Sequence, residues 1–247
     1  MKGRILTGVF IGVFLALALT FCFLWRWSGV AIAVLLYQLI GAEFGSWADS
    51  VQTDKRPLAT KVIAVCLAVA LLLSGTVAIG WLGFRSAASL ALVVVVTVIC
   101  DTAAMFFGRK FGKKFGRRNG KPLLAFAPTK TAAGFVGSLF FGVLLLYVLR
   151  LIGVFIELLL GAPAVVFLIF DLVSPRIVFA LSIAASVGDV LCSFIKRAFG
   201  VKDSGELLAK SPGWTGCLWS AMSPHGGFLD RFCGILAAAL VMATLSF

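Results

Sequence analysis

Asp189 lies within an apolar stretch that reads SVGDVLCSFIKR. On a helix turning about 100° per residue, Ser193 and Lys196 fall four and seven positions later and share its face, with Arg197 just beside them. One stripe then presents a carboxylate, a hydroxyl and two cations. That set suits a metal ion at one end and phosphate groups at the other. The competing reading is an ion pair spaced along one helix, with Lys196 extending its stem to the surface. Asp101 is the second carboxylate inside an apolar run. An isolated carboxylate in hydrocarbon costs at least ~2.5–3.5 kcal/mol, so such residues face a polar cavity and have partners. For Asp101 a place at the helix end, level with lipid headgroups, is equally open.

Three further segments carry phosphate chemistry. KDSG runs from Lys202 to Gly205, with Asp203 inside it. SPHGGFLDR, from Ser223 to Arg231, holds the single histidine, His225. Gly226 and Gly227 let backbone amides approach an anion closely, while Asp230 is of a metal-ligand type and Arg231 of a phosphate-clamp type. APTKTAAGF places Lys130 and Thr131 just before a glycine that opens an apolar run, and lysines and helix N-termini both favour phosphate. A basic helix cap at a membrane surface explains that segment equally well.

These residues must be positioned by membrane helices. A spanning helix needs about 20 mostly apolar residues. Ile5–Trp25 is one such run, expected to be a retained first span rather than a cleaved leader. Ser28–Ala42 continues to Trp47 and carries Glu43; Val62–Phe84, Ala87–Phe107, Gly134–Leu158 and Arg176–Ile195 follow, and Gly234–Phe247 ends the chain. The stretch GAPAVVFLIFDLVSP is short for a span, so the count is seven or eight. The expected organisation is one integral membrane domain: N-terminal spans over 5–107, a basic cytoplasmic loop over 108–133 and a catalytic part over 134–247. The loop assignment rests on GRKFGKKFGRRNGK, which has no acidic residue, because positive charge marks cytoplasmic loops. Lys55, Arg56 and Lys61 place the earlier polar break on the same side.

Composition agrees. Of 247 residues, 61% are hydrophobic and 13% charged, whereas a soluble domain is nearer half apolar and about a quarter charged. The net charge of +12 reads as positive-inside bias, with attraction to anionic headgroups or polyphosphates compatible with it. The apolar runs leave no room for a nucleic-acid-binding fold. The six cysteines form no CxxC pair and read as small hydrophobes, not as disulfides or a zinc site. The fold class expected is an all-α polytopic membrane protein with its polar site on the cytoplasmic side.

The order of these blocks resembles the phosphatidate cytidylyltransferase family. Ser193, Lys196 and Arg197, then Lys202, Asp203 and Gly205, then His225, Gly226, Gly227, Asp230 and Arg231 match its S-x-x-K-R, K-D-x-G and H-G-G-x-x-D-R signature. DTAAMFFGRKFGKK, APTKTAAG and Glu43 resemble its upstream blocks. The family's carboxylates are replaced by Ala133, Cys192 and Cys233, its tyrosine by Met105, and a longer segment separates Gly205 from His225.

The resemblance implies transfer of a cytidylyl group from CTP to phosphatidate, giving CDP-diacylglycerol and pyrophosphate. It implies Mg²⁺ on Asp189, Asp230 and Asp101, with Asp203 as a further candidate. It implies phosphate contacts from Lys130, Lys196, Arg197, Lys202 and Arg231, supported by Thr131 and Ser193, and a phosphate loop shaped by His225, Gly226 and Gly227. The partners it implies are CTP, phosphatidate, membrane lipid and a second copy in a homodimer, with the site facing the cytoplasm from the inner (plasma) membrane. The alternatives are a related lipid-phosphate cytidylyltransferase or lipid kinase, a membrane transporter, or a non-catalytic relative in which the three lost carboxylates have weakened metal binding.

Overall fold

The computed structural model describes residues 27–48, 57–115, 131–160, 174–201 and 228–246, with positions 17, 20, 21, 24 and 25. Among the described residues the regular elements are six long helices: α1 (Ser28–Ala48), α2 (Leu58–Arg85), α3 (Ala87–Phe115), α4 (Ala132–Leu160), α5 (Pro175–Ala198) and α6 (Phe228–Leu245). In lipid a backbone must satisfy its own hydrogen bonds, which is why apolar runs of this length become helices. Ser28–Ser46, Leu58–Arg85, Ala87–Phe111 and Pro175–Ala198 are long and apolar enough to cross a membrane. α4 and α6 carry shorter apolar stretches over Ala132–Leu144 and Phe232–Leu245. The described elements are all helices, and the apolar helices are those of a membrane protein.

Large apolar side chains are exposed along the outer faces, among them Val69, Val77, Val136, Phe140 and Phe179. That pattern fits a bundle bathed in hydrocarbon rather than water. The interior combines large aliphatic side chains, such as Ile40, Ile79, Leu82 and Leu181, with small residues where helices approach most closely. α6 packs on α5, α2, α3 and α1, and α4 packs on α3 and α5. Cys233, Leu236, Ala238 and Ala239 of α6 are fully buried. On α4 the stripe Gly134, Ser138, Gly142 repeats every four residues and meets the neighbouring helices closely. A Cβ on Gly142 would sit 2.2 Å from Ser182 Oγ, so only glycine permits this approach of α4 to α5. Ser138 and Ser186 hydroxyls bond across the same interface at 2.9 Å, and Cys100 Sγ on α3 donates to Ser182 Oγ at 3.3 Å. Small residues and short polar links replace the hydrophobic drive that lipid cannot supply.

The helices outlast the apolar runs that announce them. α3 does not stop at Gly108, where the basic segment begins, but continues to Phe115. Lysine and arginine are good helix formers, and Gly108 is packed beneath Thr131, whose Oγ1 would lie 3.1 Å from an added Cβ. α6 begins at Phe228, six residues before the apolar run from Gly234, and so takes Asp230 and Arg231 into its first turn. Residues 161–173 and the first run, Ile5–Trp25, lie wholly or mostly outside the described residues.

Candidate active site

The C-terminal ends of α1, α3 and α5 meet the N-terminal ends of α4 and α6 at one end of the bundle. α5 delivers most of the stripe seen in the sequence. It starts on Ser174, whose side chain accepts from the Ile177 N–H at 3.3 Å, with Pro175 in the first turn. It ends just past Lys196 and Arg197. There Gly200 adopts φ 73°, Val201 N–H donates to Lys196 O at 3.0 Å, and Gly200 N–H donates to Arg197 O at 3.1 Å. This pair of bonds is the Schellman stop, which needs a left-handed residue and hence glycine. Two cations in the last turn also suit the negative end of the helix.

Asp189 lies seven residues, about 10 Å, below Lys196 along α5. Asp101 lies eight residues, about 12 Å, below Arg109 along α3. The two carboxylates both line one hollow of about 230 Å³, which sets them at similar depth. Thr131 and Ser186 add hydroxyls to its wall, and Met105 and Gly134 close it. The volume exceeds that of several waters at about 30 Å³ each. Three helices build the hollow, and α4 can join only because Gly134 lacks a side chain: a Cβ there would lie 2.8 Å from Ala104 O. Thr131 caps α4, its Oγ1 accepting from Gly134 N–H at 3.1 Å.

α6 supplies the other carboxylate. Asp230 forms an ion pair with Lys196 Nζ, and both side chains are mostly buried. Asp230 also sits in the first turn of α6, where a negative charge meets the helix's positive end. One turn later, a Cβ on Gly234 would lie 3.6 Å from Asp189 Oδ1. α6 thus carries Asp230 and runs directly past Asp189. Cys192 and Cys233, which stand where carboxylates were expected, are buried at this contact; Cys192 Sγ lies 3.8 Å from Leu229 O and 4.0 Å from Asp230 Oδ1. Ala133 is buried as well.

Glu43 belongs to the blocks that match the family pattern, where its residue type alone gives it no role. In the structure it is fully buried and its Oε2 accepts from the Leu229 N–H at 2.9 Å. Leu229 offers one of the amides that a helix start cannot satisfy internally, so Glu43 of α1 anchors the turn that carries Asp230. A carboxylate inside an apolar run was the available signal. Ser186 had no comparable signal, since serine is common at membrane-helix contacts.

The structure thus brings together Asp101, Asp189 and Thr131 around the hollow, and Lys196 with Asp230 beside α5. Ser193 donates its hydroxyl to Asp189 O at 2.9 Å, so its proton is engaged within the helix. Arg197 is half-buried at the same helix end, and Arg231 is in the first turn of α6, with its side chain outside the described residues. Lys130, Lys202, Asp203, His225, Gly226 and Gly227 also lie outside the described residues. Among the described residues no group of three or more His, Cys, Asp or Glu converges on a metal position.

Known proteins resemble this chain over part of its length. Proteins named phosphatidate cytidylyltransferase from Brucella suis and Staphylococcus aureus strain COL are 35% identical over 144 residues and 31% identical over 139 residues. These stretches cover 58% and 54% of this chain, and 40% and 39% of the two relatives. The chain therefore matches about two fifths of the length of those relatives. No solved structure matches it. A model of the cytidylyltransferase family matches residues 9–247, which takes in all six helices and each of the carboxylates described above, and the chain belongs to that family.

Proposed function

We propose that this protein transfers a cytidylyl group from CTP to phosphatidate, giving CDP-diacylglycerol and pyrophosphate. The observation that carries this reading is that Asp101 and Asp189, from separate helices, line one hollow together with the hydroxyls of Thr131 and Ser186 in an otherwise apolar bundle, and that Lys196 and Asp230 pair between α5 and α6. In the reaction an oxygen of the lipid phosphate attacks the α-phosphorus of CTP. The new P–O bond forms as the bond from the α-phosphorus to the bridging oxygen breaks, and pyrophosphate leaves with that electron pair. No protein nucleophile is needed, because the acceptor phosphate already carries negative charge at neutral pH. The protein's work is positioning and charge neutralisation.

The donor set suits Mg²⁺. It is made of hard oxygens, and Mg²⁺ is commonly held by one or two carboxylates with waters and substrate phosphates completing its shell. Asp101 and Asp189 are the residues that would hold it, with Thr131 and Ser186 hydroxyls nearby; Asp230, the third ligand the family pattern implies, is engaged by Lys196 in this structure. When bound, the ion would offset phosphate charge as pyrophosphate departs. Lys196 and Arg197, at the end of α5, are placed to meet the triphosphate, and Asp230 sets the direction of Lys196. Lys130, Lys202, Asp203, His225, Gly226, Gly227 and Arg231 belong to the same reading through the family pattern.

Alternation of the helix ends supports seven spans, the six helices and the first apolar run. It gathers α1, α3, α5 and their successors' starts at the end that bears the basic segments. On the positive-inside rule that end faces the cytoplasm, where soluble CTP is found; the membrane is then the inner membrane.

The test is purified protein with labelled CTP, phosphatidate and Mg²⁺. Labelled liponucleotide is expected, and it should vanish with a chelator. Asp189→Asn and Asp230→Asn are each expected to lower turnover by at least about a hundredfold, the scale of losing one preorganised electrostatic group, while the protein still inserts. Wild-type turnover in either variant would reject that residue's role, and absence of any liponucleotide at all Mg²⁺ concentrations would reject the activity.

A further inference from the structure

The outer face of α3 carries a feature that the hollow does not use. Beside the hollow lies a cleft of about 550 Å³, lined by Thr102, Met105, Phe106, Arg109 and Lys110. Met105 also lines the hollow, so one side chain is the wall between the two. Arg109 stands four residues, about 6 Å, above Met105 along the helix, and both Arg109 and Lys110 are exposed. Lys110 Nζ is 5.7 Å from the ring centres of Phe106 and of Phe111, a cation–π arrangement that holds the ammonium at the cleft's upper rim. Below the cleft, on the same face of α3, Val95 and Val98 are exposed. The face therefore grades from hydrocarbon to two cations, with Met105 shared between it and the hollow.

We propose that this face of α3 is the seat of the acceptor lipid, with Arg109 and Lys110 gripping its phosphomonoester and the apolar strip below taking an acyl chain. The proposal rests on the cytidylyl-transfer reading for the identity of the reaction but not for the binding itself. Its grounds are charge complementarity and continuity. Two cations match a phosphate dianion, and the guanidinium's fixed fork of donors suits phosphate oxygens. Helix geometry puts the cations about 33 Å from the start of α3, at the depth of headgroups for a hydrocarbon core about 30 Å thick. A lipid phosphate held there is one turn from Met105, beyond which lie Asp101 and Asp189. Arg109 and Lys110 act as positioning residues, delivering the phosphate past Met105 to the nucleotide.

The test pairs binding with kinetics in mixed micelles. The double variant Arg109→Gln/Lys110→Gln is expected to raise KM for phosphatidate by about tenfold, as loss of charge-assisted phosphate contacts should, while KM for CTP and kcat stay within about twofold of wild type. The conservative variant Arg109→Lys/Lys110→Arg should recover most of the affinity. In the absence of CTP, wild-type protein should retain labelled phosphatidate, resist displacement by phosphatidylcholine and inorganic phosphate, and lose this retention in the glutamine variant. If product forms and the glutamine variant keeps its KM for phosphatidate, the lipid seat is wrong and the cytidylyl-transfer reading stands. If no product forms but retention behaves as described, the seat stands and that reading falls. Displacement by inorganic phosphate alone would also overturn the seat, since it would mean that the acyl strip contributes nothing.

Discussion

Lys196 and Asp230 form a contact that matters for folding and, on the proposed reading, for chemistry. Each is mostly buried, so removing one partner strands the other charge in a poor solvent. Lys196→Met is expected to lower stability by about 3 kcal/mol, at the low end for breaking a buried pair because both groups retain some exposure. Thermal unfolding in detergent would measure it. The double variant Lys196→Met/Asp230→Leu should regain most of that stability, since an apolar pair of similar size avoids the desolvation cost. It should not regain turnover. Recovery of both would show that the pair only holds the helices together. The cysteines at 192 and 233 belong to the same neighbourhood: they fill space between α5 and α6 where charged side chains were expected, leaving Asp230 with a lysine partner and fewer carboxylates beside it.

At the scale of elements, the site depends on how closely helices approach. α4 reaches the hollow because Gly134, Ser138 and Gly142 offer little bulk along one face. Gly134→Val would push its side chain against the Ala104 carbonyl and separate α3 from α4. The expected cost is about 1–3 kcal/mol, typical of overpacking, together with loss of most activity as Thr131 moves away from Asp101 and Asp189. Thermal stability and liponucleotide formation, measured on one preparation, check both halves. Normal activity in this variant would mean that α4 does not shape the site. α6 depends on a different device. Its start is tied to α1 through Glu43, whose carboxylate takes up the Leu229 amide, so a residue from the first described helix sets the register of the last.

For the whole molecule, the proposed transfer requires an orientation in which soluble nucleotide can meet membrane lipid. A cysteine at Gln52, in the polar break after α1, should react with a membrane-impermeant maleimide only after cells are permeabilised, in a background with the native cysteines replaced. A cysteine at Arg85, at the opposite end of α2, should react in intact cells. The reverse pattern would place the hollow on the outer side and remove its access to CTP.

Much of this was legible in the residues themselves. The helices were visible because hydrocarbon forces long apolar runs to be helical, and Asp101 and Asp189 stood out because a carboxylate in such a run is costly. Helix ends were less legible. Hydropathy reports where the apolar core stops, not where backbone hydrogen bonds stop, so α3 runs on to Phe115 and α6 starts early enough to carry Asp230. By itself the sequence determined the helical class, the basic end of the bundle and the scarce carboxylates that matter, since these follow from the cost of polar groups in lipid. Only the tertiary structure decided that Asp101 and Asp189 share a hollow, that Asp230 pairs with Lys196, and that Glu43 anchors α6. Those pairings join residues far apart in the chain, and close packing of small side chains selects them, a property that no single helix carries.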